Sequence, residues 1–175
     1  IMRNLIAGCI FFAGAFLISA SARETYYVVQ HTNKLKDKGF KVKMTRTNDS
    51  YTGLFERADL ANSLNADLFI SIHNNASQSA DVAGTETLYF ANCSQSKRLA
   101  NFIQKEIINS MQRPDRGIKP QHDLIILRYT EMPAVIIECG FLSNPDERKL
   151  LLNKDFQNII VEAICKGIIN YLDKS

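Results

Sequence analysis

The sequence predicts an α/β fold: a twisted, mostly parallel β-sheet with helices on both faces, in three layers. Three features predict it. Residues 68–72 (Leu-Phe-Ile-Ser-Ile) and 134–137 (Ala-Val-Ile-Ile) are short apolar runs with strand character, and each stops at one ionisable side chain, His73 and Glu138. Continuous apolar runs of this kind belong to strands buried on both faces, and open α/β sheets place their chemistry just beyond the carboxyl ends of such strands. Segments with helical periodicity alternate with these runs along the chain, the pattern of a sheet covered on both sides. Finally, no repeat, low-complexity tract or Pro/Gly/Ser linker divides residues 23–175. A chain of 175 residues with 46% hydrophobic and 22% charged content is large enough to bury one core without disulfides.

The elements follow in order. Residues 24–38 carry Tyr27, Val28, His31 and Leu35 at helical spacing and stop at Gly39, as a helix terminus does. Residues 40–45 alternate (Phe40, Val42, Met44) and predict a strand. Residues 54–64 place Leu54, Ala58, Ala61 and Leu64 on one helical face. Residues 68–72 and 85–90 predict strands, and residues 94–111 a long amphipathic helix through Leu99, Phe102, Ile103, Ile107 and Met111. Pro114-Asp115-Arg116-Gly117 ends that helix. Residues 124–127 and 134–137 predict two more short strands. Asn144 is a helix cap, with Pro145 at the first position and Asp146 and Glu147 in the first turn, where the helix dipole favours acids. Residues 156–172 predict a last amphipathic helix.

Residues 1–22 stand apart. Arg3, the uncharged run of residues 5–18 and Ala20-Ser21-Ala22 have the form of a secretory signal peptide cleaved before Arg23, with residues 23–175 as the mature domain. The alternative is that this apolar segment folds as the first strand. The run is marginal for a permanent membrane span, which needs about twenty apolar residues. Beyond it remain Cys93, Cys139 and Cys165, an odd number at unpatterned spacing and no disulfide framework. The formal charge of +3, interleaved with acids, gives no basic stripe for nucleic acid.

A neutral imidazole ligates zinc well, and a carboxylate at a facing strand end is suited to general-base work. His73, between an apolar strand and two asparagines, is a candidate metal ligand, with a packed structural histidine as the alternative. Glu138 is costly to bury unpaired, so it is raised in pKa, paired or beside a metal. A catalytic zinc takes about three protein ligands; Glu24 is a candidate for one of them, or else an ordinary acid at a helix start. His31 reads as a core histidine rather than a ligand, and His122 as a solvated one with a place in a substrate groove as its alternative. Cys139 follows Glu138 directly and points to the opposite sheet face, and no Gly-x-Ser-x-Gly elbow is present, so a nucleophilic hydrolase is disfavoured.

Several segments in order, Thr45-Arg46-Thr47-Asn48-Asp49, Leu54-Phe55-Glu56-Arg57-Ala58, residues 66–76, Gly84-Thr85-Glu86-Thr87, Arg116-Gly117, Leu127-Arg128 and residues 132–145, resemble the zinc-dependent N-acetylmuramoyl-L-alanine amidases of bacterial cell-wall remodelling. The resemblance runs from Glu24 to the carboxyl terminus. It implies cleavage of the amide between the lactyl group of N-acetylmuramic acid and the L-alanine of the stem peptide. It also implies Zn2+ as cofactor, Glu24 and His73 as zinc ligands, Glu138 as the catalytic carboxylate, and Asn75 and Arg128 as substrate contacts. Such a protein is exported to the cell wall, has peptidoglycan as its partner and is expected to be a monomer. The family's opening His-Gly-Gly motif, whose histidine is its first zinc ligand, has no counterpart: residues 5–15 occupy that place without a histidine, and Cys9 is the alternative donor there. A catalytically impaired, peptidoglycan-binding remnant of the same fold is therefore the competing reading. A zinc peptidase acting on the stem peptide is a third.

Overall fold

The computed structural model describes residues 35–45 and 52–174 and the backbone of residues 4–8. Among the described residues six strands form one sheet: β1 (Asn4–Gly8), β2 (Lys41–Met44), β3 (Leu68–Asn75), β4 (Thr85–Phe90), β5 (Asp115–Gln121) and β6 (Ala134–Phe141). Their spatial order is β2-β1-β3-β6-β4-β5. The pairs β2–β1, β1–β3, β3–β6 and β4–β5 are parallel, and β4 runs antiparallel to β6. Among the described residues, five complete helices accompany the strands, besides the helical end at residues 35–37: α1 (Leu54–Ser63), α2 (Ser94–Ser110), α3 (Ile125–Tyr129), α4 (Pro145–Leu151) and α5 (Lys154–Asp173). Among the described residues, no helix is long and apolar enough to cross a membrane.

Alternation along β3 and β6 divides the core in two, because successive side chains point to opposite faces. On one face, Leu68, Ile70 and Ile72 of β3 and Val135, Ile137 and Cys139 of β6 pack against Leu99, Ile103 and Ile107 of α2 and Ile160, Ile164 and Ile168 of α5. On the other face, Phe69, Ala134 and Ile136 pack against Ala61 of α1 and Ile126 and Leu127 of α3. Three layers result, as the apolar periodicities require. At Gly167 the two large helices are so close that an added Cβ would lie 2.6 Å from Ile103 Cα.

Three elements differ from the sequence expectation. Residues 124–127, expected as a strand, are the cap and first turns of the short helix α3; a run of four apolar residues fits a buried helical turn as well as a strand, and here Ile126 and Leu127 are the buried pair. Residues 115–121, expected only as a break, form the edge strand β5. Its composition (Asp-Arg-Gly-Ile-Lys-Pro-Gln) conceals it, but an edge strand tolerates charges and a proline with no ladder bond to donate. Strands β3 and β6 also run on past residues 72 and 137, so His73 and Glu138 sit inside the sheet rather than beyond it.

At the amino terminus, Asn4–Gly8 is an interior strand, with Leu5 to Gly8 registered against Leu68 to Ser71 on one side and Asn4 to Ala7 against Lys41 to Met44 on the other. Gly39 has φ +86°, and Phe40 N–H returns to Leu35 O at 3.1 Å, closing the helical turn at the position predicted for a terminus. The Asn144 cap is present: its Oδ1 accepts from the N–H groups of Asp146 and Glu147.

Candidate active site

The site grows from one register. His73 of β3 is directly opposite Glu138 of β6, and Glu138 is opposite Glu86 of β4. Three adjacent strands thus put an imidazole and two carboxylates side by side, on the face that carries α1 and α3. A β-bulge follows at once, since His73 pairs with Glu138 but Asn75 pairs with Phe141. One extra residue in β6 shifts the alternation, so Glu138 and Phe141 share a face although they are three apart.

Each group has its own support. Ser71, two residues before His73 on the same face, holds the ring through a 2.7 Å contact between Oγ and Nε2. Glu86 Oε1 accepts from Asn75 Nδ2 at 3.0 Å, and Glu86 Oε2 accepts from Arg116 Nε at 2.9 Å. Asn75 Oδ1 in turn accepts from Ala76 N–H at 2.8 Å. Glu138 is different: its Oε2 is buried and has no hydrogen-bond partner among the described residues. Burial first, and the neighbouring Glu86 carboxylate second, push the Glu138 carboxyl up from 4.5 to about 7.

That shift has a consequence for stability. A carboxyl whose pKa is raised on folding holds its proton more tightly in the native state, so stability declines as pH rises from 4.5 towards 7 and levels off above it. In metal-free protein the full effect is on the order of 3 kcal/mol. Urea denaturation at pH 5 and pH 8 is expected to show it, with Glu138→Gln removing that part of the difference. Equal pH slopes in the two proteins would contradict the burial argument.

Buried oxygens without partners in a native protein mark the place of a water, an ion or a reacting group. The residues here fit a cation in part: His73 supplies an imidazole donor, and the Glu138 carboxyl lies opposite it in register. Among the described residues no three histidines, cysteines, aspartates or glutamates are arranged so that they could hold a metal ion together. Glu24, the other expected ligand, lies outside the described residues, as do His31 and Cys9. His122 is exposed, directly after β5. Arg128 lies exposed on α3, its guanidinium carbon 5.9 Å from the Tyr129 ring centroid. Tyr129 meets Phe55 of α1 edge-on at 5.0 Å, and Asn62 of α1 ties the two helices through Tyr129 O and Glu131 N–H. Sequence reasoning assigned no role to Glu86 and Arg116. Both lie in segments that carry the family resemblance, but only the antiparallel pairing of β4 brings Glu86 against Glu138.

Histidine and carboxylates on neighbouring strands of a covered α/β sheet are an arrangement suited to hydrolysis. Comparison with known proteins gives the family. A family profile described as N-acetylmuramoyl-L-alanine amidase matches residues 24–170, and the chain belongs to that family. The N-acetylmuramoyl-L-alanine amidase LytC of Bacillus subtilis is 34% identical over 140 residues, which cover 79% of this chain but 28% of LytC. The N-acetylmuramoyl-L-alanine amidase of Clostridium difficile 630 superposes with a TM-score of 0.89 at 30% identity, covering 99% of this chain and 98% of that one. The catalytic domain of CwlV, an amidase from Bacillus (Paenibacillus) polymyxa var. colistinus, gives 0.88 at 34% identity, covering 99% and 100%.

Proposed function

We propose that this chain is an exported cell-wall hydrolase that cleaves the amide between N-acetylmuramic acid and L-alanine of peptidoglycan. The observation that carries this reading is the buried Glu138 Oε2, without a hydrogen-bond partner among the described residues and in register with His73. The carboxyl's pKa of about 7 suits it to exchange protons near neutral pH. Glu138 takes a proton from the attacking water and returns it to the alanine nitrogen as that nitrogen leaves. His73, oriented by Ser71, and Glu24 would hold a zinc ion, which when bound lowers the pKa of water and polarises the scissile carbonyl. Asn75 stays fixed to Glu86 at the rim of the site, and Arg128 is the candidate for a more distant substrate contact. The amidase relatives weigh against the impaired-remnant alternative, and they favour the muramoyl amide over a bond within the stem peptide.

The test is metal content and product analysis on the full chain. About one zinc per chain is expected after dialysis against trace zinc, falling to near zero in His73→Ala. Purified peptidoglycan should gain free L-alanine amino groups together with peptide-free lactyl ends on the glycan. Zinc-free protein that sediments with peptidoglycan and releases nothing would instead establish the wall-binding remnant. Shortened peptides with the muramoyl amide intact would establish the peptidase.

A further inference from the structure

Arg116 leans from the edge strand β5 back across β4. Its Nε donates to Glu86 Oε2 at 2.9 Å, and its guanidinium carbon lies 5.0 Å from the centroid of the Phe141 ring. The Glu86 side chain is 12% exposed and the Arg116 side chain 38%. The guanidinium plane is therefore fixed by a largely buried carboxylate and by an aromatic face, while Asn75 holds the other oxygen of that carboxylate. Glu86 engages only Nε; the two terminal amino groups of Arg116 make no hydrogen bond to the described residues. Such a pair of amino groups presents parallel N–H donors that match a carboxylate.

Position narrows the ligand. Neighbouring strands are about 4.8 Å apart, and β5 is two strands from β6, so the guanidinium lies within about 10 Å of Glu138 on the same face of the sheet. That is the span of one to three extended residues. A peptide whose first amide reacts at Glu138 would thus bring its next residues to Arg116. In a stem peptide whose second residue is a γ-linked glutamate, a free α-carboxylate arrives there.

We propose that Arg116, aligned by Glu86 and Phe141, is a carboxylate-binding subsite for the acidic residue that follows L-alanine in the stem peptide. The proposal rests on the amidase reading and deepens it: the chain discriminates between stem peptides carrying a free α-carboxylate and those in which it is amidated. Glu86 acts here as a positioning residue, holding the arginine in one orientation.

Calorimetric titration of the metal-free full chain separates this proposal from its parent. The probes are N-acetylmuramoyl-L-alanyl-D-isoglutamate and its D-isoglutamine counterpart, which differ by one carboxylate. Wild type is expected to bind the isoglutamate form about 10-fold more tightly, the size of a charge-assisted contact. Arg116→Met should bring the two affinities to within twofold of each other. Arg116→Lys, keeping the charge without the fork, should retain part of the preference. Equal affinities in wild type, or an undiminished preference in Arg116→Met, would overturn the subsite. Binding of neither probe would also overturn it. A preference that vanishes in Arg116→Met, in a protein that cleaves no muramoyl amide, would uphold the subsite and refute the amidase.

Discussion

Replacing Glu138 with glutamine is expected to lower kcat for release of L-alanine amino groups from peptidoglycan by roughly 10²- to 10⁴-fold, the usual contribution of a positioned general base. KM should change little, because glutamine keeps the size and hydrogen-bonding reach of the side chain. The fold should not suffer. Above pH 7 the native protein carries a buried carboxylate with one unpartnered oxygen next to the Glu86 charge, and glutamine removes that cost. The variant should therefore be at least as stable as wild type at pH 8 while being nearly inactive, a combination that simple misfolding cannot produce. Retained turnover with normal zinc content would show that another group moves the proton, and Glu138 would lose its assigned role.

The two ends of this site were unequally legible in the sequence. His73 and Glu138 stood out because each interrupts an apolar run, and a buried strand rarely admits an ionisable side chain without a reason. Their direct pairing was not legible, since cross-strand register between distant segments is a tertiary property. Nor was the bulge after Glu138, where Cys139-Gly140 reads as an ordinary continuation of the strand. Glu86 was hidden for a different reason. In residues 85–90 the buried side chains are Thr85, Thr87 and Tyr89, and the intervening Glu86 resembles the solvent-facing half of an alternating strand. It lies beside Glu138 only because β4 runs antiparallel to β6, and a sequence with helical connections elsewhere gave no sign of that reversal. Arg116 shared the disguise of its whole strand. Local periodicity therefore reveals which residues are buried, whereas the partners of a charged residue depend on strand order.

The same logic explains a residue whose position in a helix made it look unremarkable. Glu147 was expected as a first-turn acid favoured by the helix dipole; it does sit in the first turn of α4, but its side chain is only 3% exposed. Its Oε1 accepts from Gly84 N–H at 2.8 Å and pairs with Arg113, while Oε2 accepts from Phe141 N–H at 2.6 Å. One carboxylate thereby joins the entry to β4, the turn before β5 and the end of β6 just past the bulge. Gly84 is constrained too: with φ +110°, an added Cβ would lie 2.4 Å from Pro114 O, so no larger residue fits at the entry to β4 without strain. Glu147→Ala leaves two backbone N–H groups and the Arg113 guanidinium without their acceptor. Loss of one member of such a buried ionic network costs about 3–5 kcal/mol, which lowers the melting temperature by roughly 10 °C in a domain of this size. Because Phe141 lies at the end of the bulge that aims Glu138, activity should decline as well, through a less fixed strand end. Arg113→Met in the Glu147→Ala background should recover part of the stability, since it removes the orphaned charge. A Glu147→Ala protein that melts within 2 °C of wild type would mean that water satisfies these donors, and that the strand ends are held by the sheet alone.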